Sequence, residues 1–139
     1  MFKYLRTLNS DRHPTEIHSV ISHASEDEIG TVKAGTIVSV AYGEIFECRS
    51  DTPLYLALNS KSKNEEKYIN CIKLSSDMVL EADVDSNVST SDLVIGALCT
   101  ILSDASGKGA TVTVSEGYGA FQIIGNENAK NGKVTVVVI

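Results

Sequence analysis

Carboxylates, histidines and cysteines are the residues of this 139-residue chain with chemistry to offer, and each group misses a geometric requirement. Asp83-Val84-Asp85-Ser86-Asn87 opens like an EF-hand calcium loop. The sixth position, however, is Val88 where the sharp turn needs glycine, and the twelfth is Val94 where calcium needs a bidentate glutamate. Alternation instead puts Glu81, Asp83 and Asp85 on one face of a strand, the pattern of a solvated sheet edge. His13, His18 and His23 recur every five residues, which suits neither one helix face nor one strand face, so no metal pair is expected. Ser106-Gly107-Lys108-Gly109 imitates a phosphate loop, but a β-branched run, Thr111-Val-Thr-Val, follows where a helix should begin. It reads as a hairpin turn, with Lys108 projecting from the tip.

Cys48, Cys71 and Cys99 form no CxxC pair, are odd in number and sit in apolar stretches. They read as buried free thiols acting as small hydrophobes, in a reducing compartment. No serine or cysteine nucleophile has an identifiable base and orienting partner. The expectation is therefore of a protein with no catalytic residues, no metal and no cofactor.

The elements that would position any site are strands. Composition is that of an ordinary globular protein, 42% hydrophobic and 22% charged, and the length predicts one domain with a proper core. Net charge is −6, which disfavours nucleic acid and anionic membrane and fits docking onto something basic. The first residues lack the apolar core of a signal peptide, and no apolar run approaches the ~20 residues that span a bilayer, so a cytoplasmic site of synthesis is expected.

From Ile17 onward the text alternates strand and turn. Candidate strands are 17–22, a hairpin over 36–48 broken at Gly43, 54–58, 68–74, 78–84 and three runs within 110–139. Residues 92–102 fit one long strand or a short helix. Asn59–Lys67 is a polar surface loop, and Phe121 should anchor the core on the same strand face as Ile123. Residues 1–16 differ in composition and end near Pro14. Phe2, Leu5 and Leu8 repeat every three residues, which allows a helical turn, while an extended arm that orders only on a partner is equally consistent. The predicted fold is all-β, a mainly antiparallel β-sandwich or barrel with little helix: a flexible N-terminal arm over 1–16 and one β-rich domain over 17–139.

Four segments carry a family resemblance: Val79-Leu80-Glu81-Ala82, Val94-Ile95-Gly96-Ala97-Leu98, Gly119-Ala120-Phe121-Gln122-Ile123 and Gly132-Lys133-Val134-Thr135-Val136. Lys33-Ala34-Gly35-Thr36-Ile37-Val38 matches more loosely, and Ala97 stands where an acidic residue is usual. In these segments the chain resembles the head-decoration proteins of tailed phages. The resemblance implies a non-catalytic capsid-stabilising protein, a homo-oligomer with the trimer favoured. It would bind the major capsid protein on the outside of the expanded head, and so reside in the virion after synthesis in a bacterial cytoplasm. Capsid contact would fall to the arm, through Phe2, Lys3, Tyr4, Leu5, Arg6, Leu8 and Arg12. Another virion component, such as a head-fibre base or tail accessory barrel, and a non-catalytic cytoplasmic ligand-binding barrel are the alternatives.

Overall fold

The computed structural model describes residues 1–8, 17–21, 30–41, 44–49, 53–62, 65 and 68–139, with backbone alone described at 17–21. Among these residues the chain is all-β. Its strands are β1 (Phe2–Thr7), β2 (Ile17–Ile21), β3 (Ile37–Ala41), β4 (Glu44–Phe46), β5 (Leu54–Ala57), β6 (Tyr68–Lys73), β7 (Met78–Asp83), β8 (Leu98–Ser103), β9 (Gly109–Ser115), β10 (Phe121–Gly125) and β11 (Lys133–Val138). Helix is confined, among described residues, to single 3-10 turns at Thr90–Asp92 and Ala129–Asn131. Contacts group the chain into two compact units. The first is Met1–His13, Ser75–Leu102 and Ala110–Ile139; the second is Pro14–Leu74 and Ser103–Gly109.

The first unit is an antiparallel sheet in the order β1-β7-β11-β10-β8-β9. Register sorts its side chains. Phe2 stands opposite Ala82, Tyr4 opposite Leu80, Val134 opposite Ala82, Val136 opposite both Leu80 and Ile123, and Cys99 opposite Phe121. These residues share one face, and all but half-buried Tyr4 are buried. The sheet curls, and Val84 just beyond β7 makes a parallel bridge to Val112 of β9. Phe121 is buried as its alternation predicted, with its ring centroid 5.7 Å from that of Phe2. Removing an aromatic ring of this size from water is worth roughly 1.5–3 kcal/mol.

That pairing corrects the expectation of a separate arm. Residues 2–7 are a strand hydrogen-bonded to β7, and Phe2 is only 4% exposed. The three-residue apolar spacing that resembles a helical turn comes from a break in register between Tyr4 and Arg6, which inserts Leu5 as an extra residue. Residues 9–16 lie outside the described residues.

The second unit pairs β3-β5-β6-β2, with β4 on the other side of β3 as the predicted hairpin. Val32, Val38, Ile45, Ala57, Ile69 and Cys71 form its core cluster, with Val40 and Tyr55 packed against it. The buried Ser39 hydroxyl accepts the Arg49 N–H at 2.8 Å, satisfying a polar group that burial would otherwise penalise. Residues 92–102 form neither predicted element. Gly96 adopts φ 93°, which interrupts both strand and helix, and β8 starts at Leu98.

Candidate binding surface

The seven residues expected to meet a partner separate into different environments. Phe2 is committed to the core. Tyr4 is half-buried, its hydroxyl 2.9 Å from Thr7 Oγ1, and half-buried Leu8 donates its backbone N–H to the Asp77 carbonyl. Lys3, Leu5 and Arg6 are exposed, so the outward side of β1 offers two cations around an apolar side chain. Arg12 lies outside the described residues.

The sheet face opposite the core is polar along the same register. Lys3 faces Glu81, which faces Thr135, and Asp83 faces Lys133. Lys133 Nζ donates to Asp83 Oδ1 at 2.6 Å and lies 3.9 Å from Glu81, while the Met1 ammonium donates to Asp83 Oδ2 at 2.8 Å. Burial pulls the Asp83 pKa upward, but the hydrogen bonds from Lys133 and the chain's first ammonium outweigh it and hold the carboxyl below its ordinary value. β7 lies between β1 and β11, so the acidic alternation that read as a sheet edge is an interior strand whose charges meet a lysine across the ladder. Beside it, Glu81, Gly125, Glu127, Asn128, Lys133, Val134 and Thr135 line a recess of about 10 Å³, room for a water molecule.

Lys108 is the residue that sequence reasoning misplaced. The 104–108 turn belongs to the second unit, and Lys108 is 1% exposed instead of projecting from its tip. Asp104 organises the turn: its Oδ1 accepts the Ser106 N–H at 2.9 Å, the Ser106 hydroxyl at 2.6 Å and the Lys108 N–H at 3.1 Å. Burial raises the Asp104 pKa, but these bonds together with the Lys108 charge hold it below the usual value. Lys108 Nζ donates to the Ser106 carbonyl at 2.9 Å. Burial lowers its pKa, opposed by attraction to Glu47 and Asp104. The signal available in sequence was Glu47 and Cys48, whose strand-end segment meets this turn through a Cys48 N–H bond to the Gly107 carbonyl.

The histidine and cysteine readings resolve differently. His13 and His23 lie outside the described residues, and His18 stands in β2 opposite Cys71. The three thiols are free, with Cys71 and Cys99 buried as expected and Cys48 half-buried. Burial pushes Cys71 up to about 12 and Cys99 up to about 11, which leaves both as unreactive neutral thiols at physiological pH. Among the described residues no three His, Cys, Asp or Glu side chains converge as metal ligands. No helix among them is long and apolar enough to cross a membrane. No protein-family model, curated protein or solved structure matches the chain, so its sheets and surfaces carry the functional argument.

Proposed function

We propose that this chain is a non-catalytic decoration protein of a tailed-phage head, acting as a trimer that binds the major capsid protein on the outside of the expanded shell. The observation that supports the reading is where the four resembling segments fall. Val79–Ala82 lies in β7, Gly132–Val136 opens β11, Gly119–Ile123 leads into and forms β10, and Val94–Leu98 is the turn that opens β8. In the sheet these strands are consecutive neighbours, β7-β11-β10-β8. Segments spread over more than fifty residues thus come together as neighbouring strands of one sheet.

The mechanism in this reading is a clamp. A decoration protein that bridges neighbouring capsid subunits stabilises the expanded state by its differential affinity for seams that exist only after expansion. Many equivalent sites let weak individual contacts suffice. Because β1 is already part of the sheet, its contribution is the preformed outward row of Lys3, Leu5 and Arg6, with no ordering of residues 2–7 on attachment.

The test is sedimentation of the purified protein with undecorated expanded shells and with unexpanded procapsids, each with and without chelator. Saturable binding to expanded shells alone, indifferent to chelator, is expected. Equal binding to both shells removes the clamp, and binding to neither removes the capsid reading.

A further inference from the structure

We propose that the Val94–Ile95 turn is a preformed apolar knob that inserts into a recess with a basic rim on the protein partner, an inference that rests on the capsid reading and names its contact point. Turn positions ordinarily carry polar residues, glycine or proline. Here two adjacent β-branched side chains are exposed at 53% and 59%, directly after Leu93, which is buried at 3% and anchors the loop.

The turn is held on several sides. The Ala97 N–H closes it on the Val94 carbonyl at 3.1 Å, with Gly96 at φ 93° in the third position, which a type II turn reserves for glycine. The Gly96 N–H donates to the Ile123 carbonyl at 2.8 Å. Gln122 Nε2 donates to the Gly96 carbonyl at 3.2 Å, and Asn126 Nδ2 to the Leu93 carbonyl at 3.0 Å. Four hydrogen bonds therefore hold a turn that presents two side chains the fold itself leaves outside, and a contact that is already ordered loses little entropy on binding.

Charge identifies the occupant. Exposed Asp92 precedes the knob, and exposed Glu127 follows the asparagine that fastens it, with exposed Lys130 farther along that loop. An anionic lipid surface is repelled by such a rim, and a second copy would bring like charge to like charge. A protein recess lined by apolar side chains and bordered by lysine or arginine is the complement.

The experiment uses the full chain with Val94→Ser/Ile95→Ser and, separately, Asp92→Asn/Glu127→Gln. Far-UV circular dichroism and melting establish that each variant folds, and gel filtration reports its oligomeric state. Expanded shells, zwitterionic phosphatidylcholine vesicles and vesicles with added phosphatidylserine are the binding probes, at 50 and 500 mM NaCl.

The double serine variant should melt like the parent and lose at least tenfold in affinity for shells, as expected for apolar anchors at a contact centre. The charge variant should lose about threefold at low salt and match the parent at high salt. If the parent binds shells and the serine variant binds equally well, the knob inference fails and the capsid reading stands. A parent that ignores shells removes the capsid reading and this contact with it. Vesicle binding abolished by the serine pair would assign the knob to lipid, and a changed oligomeric state would assign it to a subunit contact; either overturns the proposal.

Discussion

The two turns that flank β8 invert each other. The one before the strand exposes Val94 and Ile95, whereas the one after it buries Lys108. Both use a glycine at positive φ, Gly96 at 93° and Gly107 at 78°. They differ in who holds them. The first is fastened from outside, by Gln122 and Asn126, so its own side chains have no structural duty. The second is fastened by its own members, Asp104, Ser106 and Lys108, and closed over by Glu47. A turn stabilised by its neighbours can present its side chains to a partner, whereas a turn stabilised by its own side chains has spent them.

The sharpest way to break this comparison is Lys108→Ala. If the lysine is the internal fastener, its loss leaves a cavity under the turn and removes the Nζ hydrogen bond to the Ser106 carbonyl, at a cost of about 2–4 kcal/mol in urea denaturation. Lys108→Met, which keeps the packed stem, should cost less than Lys108→Ala. A change below about 0.5 kcal/mol in both would make the buried lysine incidental and erase the contrast.

A smaller effect separates the glycines. An alanine Cβ at Gly96 meets nothing within 4 Å, so Gly96→Ala should cost only the left-handed backbone penalty, roughly 1–2 kcal/mol. At Gly107 the same Cβ would lie 2.6 Å from Glu47 Cγ, so Gly107→Ala should cost more than Gly96→Ala, by about 1 kcal/mol. Pairing it with Glu47→Ala should recover that difference, because the obstacle is a side chain that can be removed. Equal costs for the two glycines would show that Glu47 yields freely and does not close the turn.

The smallest effect lies in pH. The folded Asp104 carboxyl titrates below its unfolded value of 3.8, so its contribution is fully present above that value and is lost as pH falls through the folded one. Asp104 is partly exposed, and solvent screening limits the contribution to the order of 1 kcal/mol. The stability gap between the parent and Asp104→Asn should therefore be flat from pH 5 to 8 and shrink below about pH 4. A gap that persists unchanged at pH 2 would show that the three accepted hydrogen bonds do not depend on the carboxylate charge.

Much of the strand content was legible because period-2 alternation is a local signal: β3–β4, β5, β6, β7 and the three strands of 109–138 all fall where alternation and turn glycines put them. Phe121 and Ile123 were legible for the same reason. Features that depend on distant partners were not. β1 was obscured because its register break imitates helical spacing and its partner lies some eighty residues away. Lys108 looked like a loop tip because the segment that meets its turn, at Cys48, lies some sixty residues away. The apolar turn at 94–97 was read into an element, since nothing local distinguishes a hydrophobic pair that faces solvent from one that starts a strand.

The pairing of β1 with β7 also sets an order of events during synthesis. Phe2 finds its place opposite Ala82 only after the intervening chain has been made. At about 5–20 residues per second, the first strand waits roughly 4–16 seconds before its neighbour exists. During that interval Phe2, Tyr4 and Leu5 are bare of their sheet, interleaved with Lys3 and Arg6. Those two cations act as gatekeepers, lowering the tendency of an unpaired nascent strand to associate with another copy on a neighbouring ribosome. The same residues that face outward from the finished sheet thus have an earlier task, keeping its first strand single until the seventh arrives.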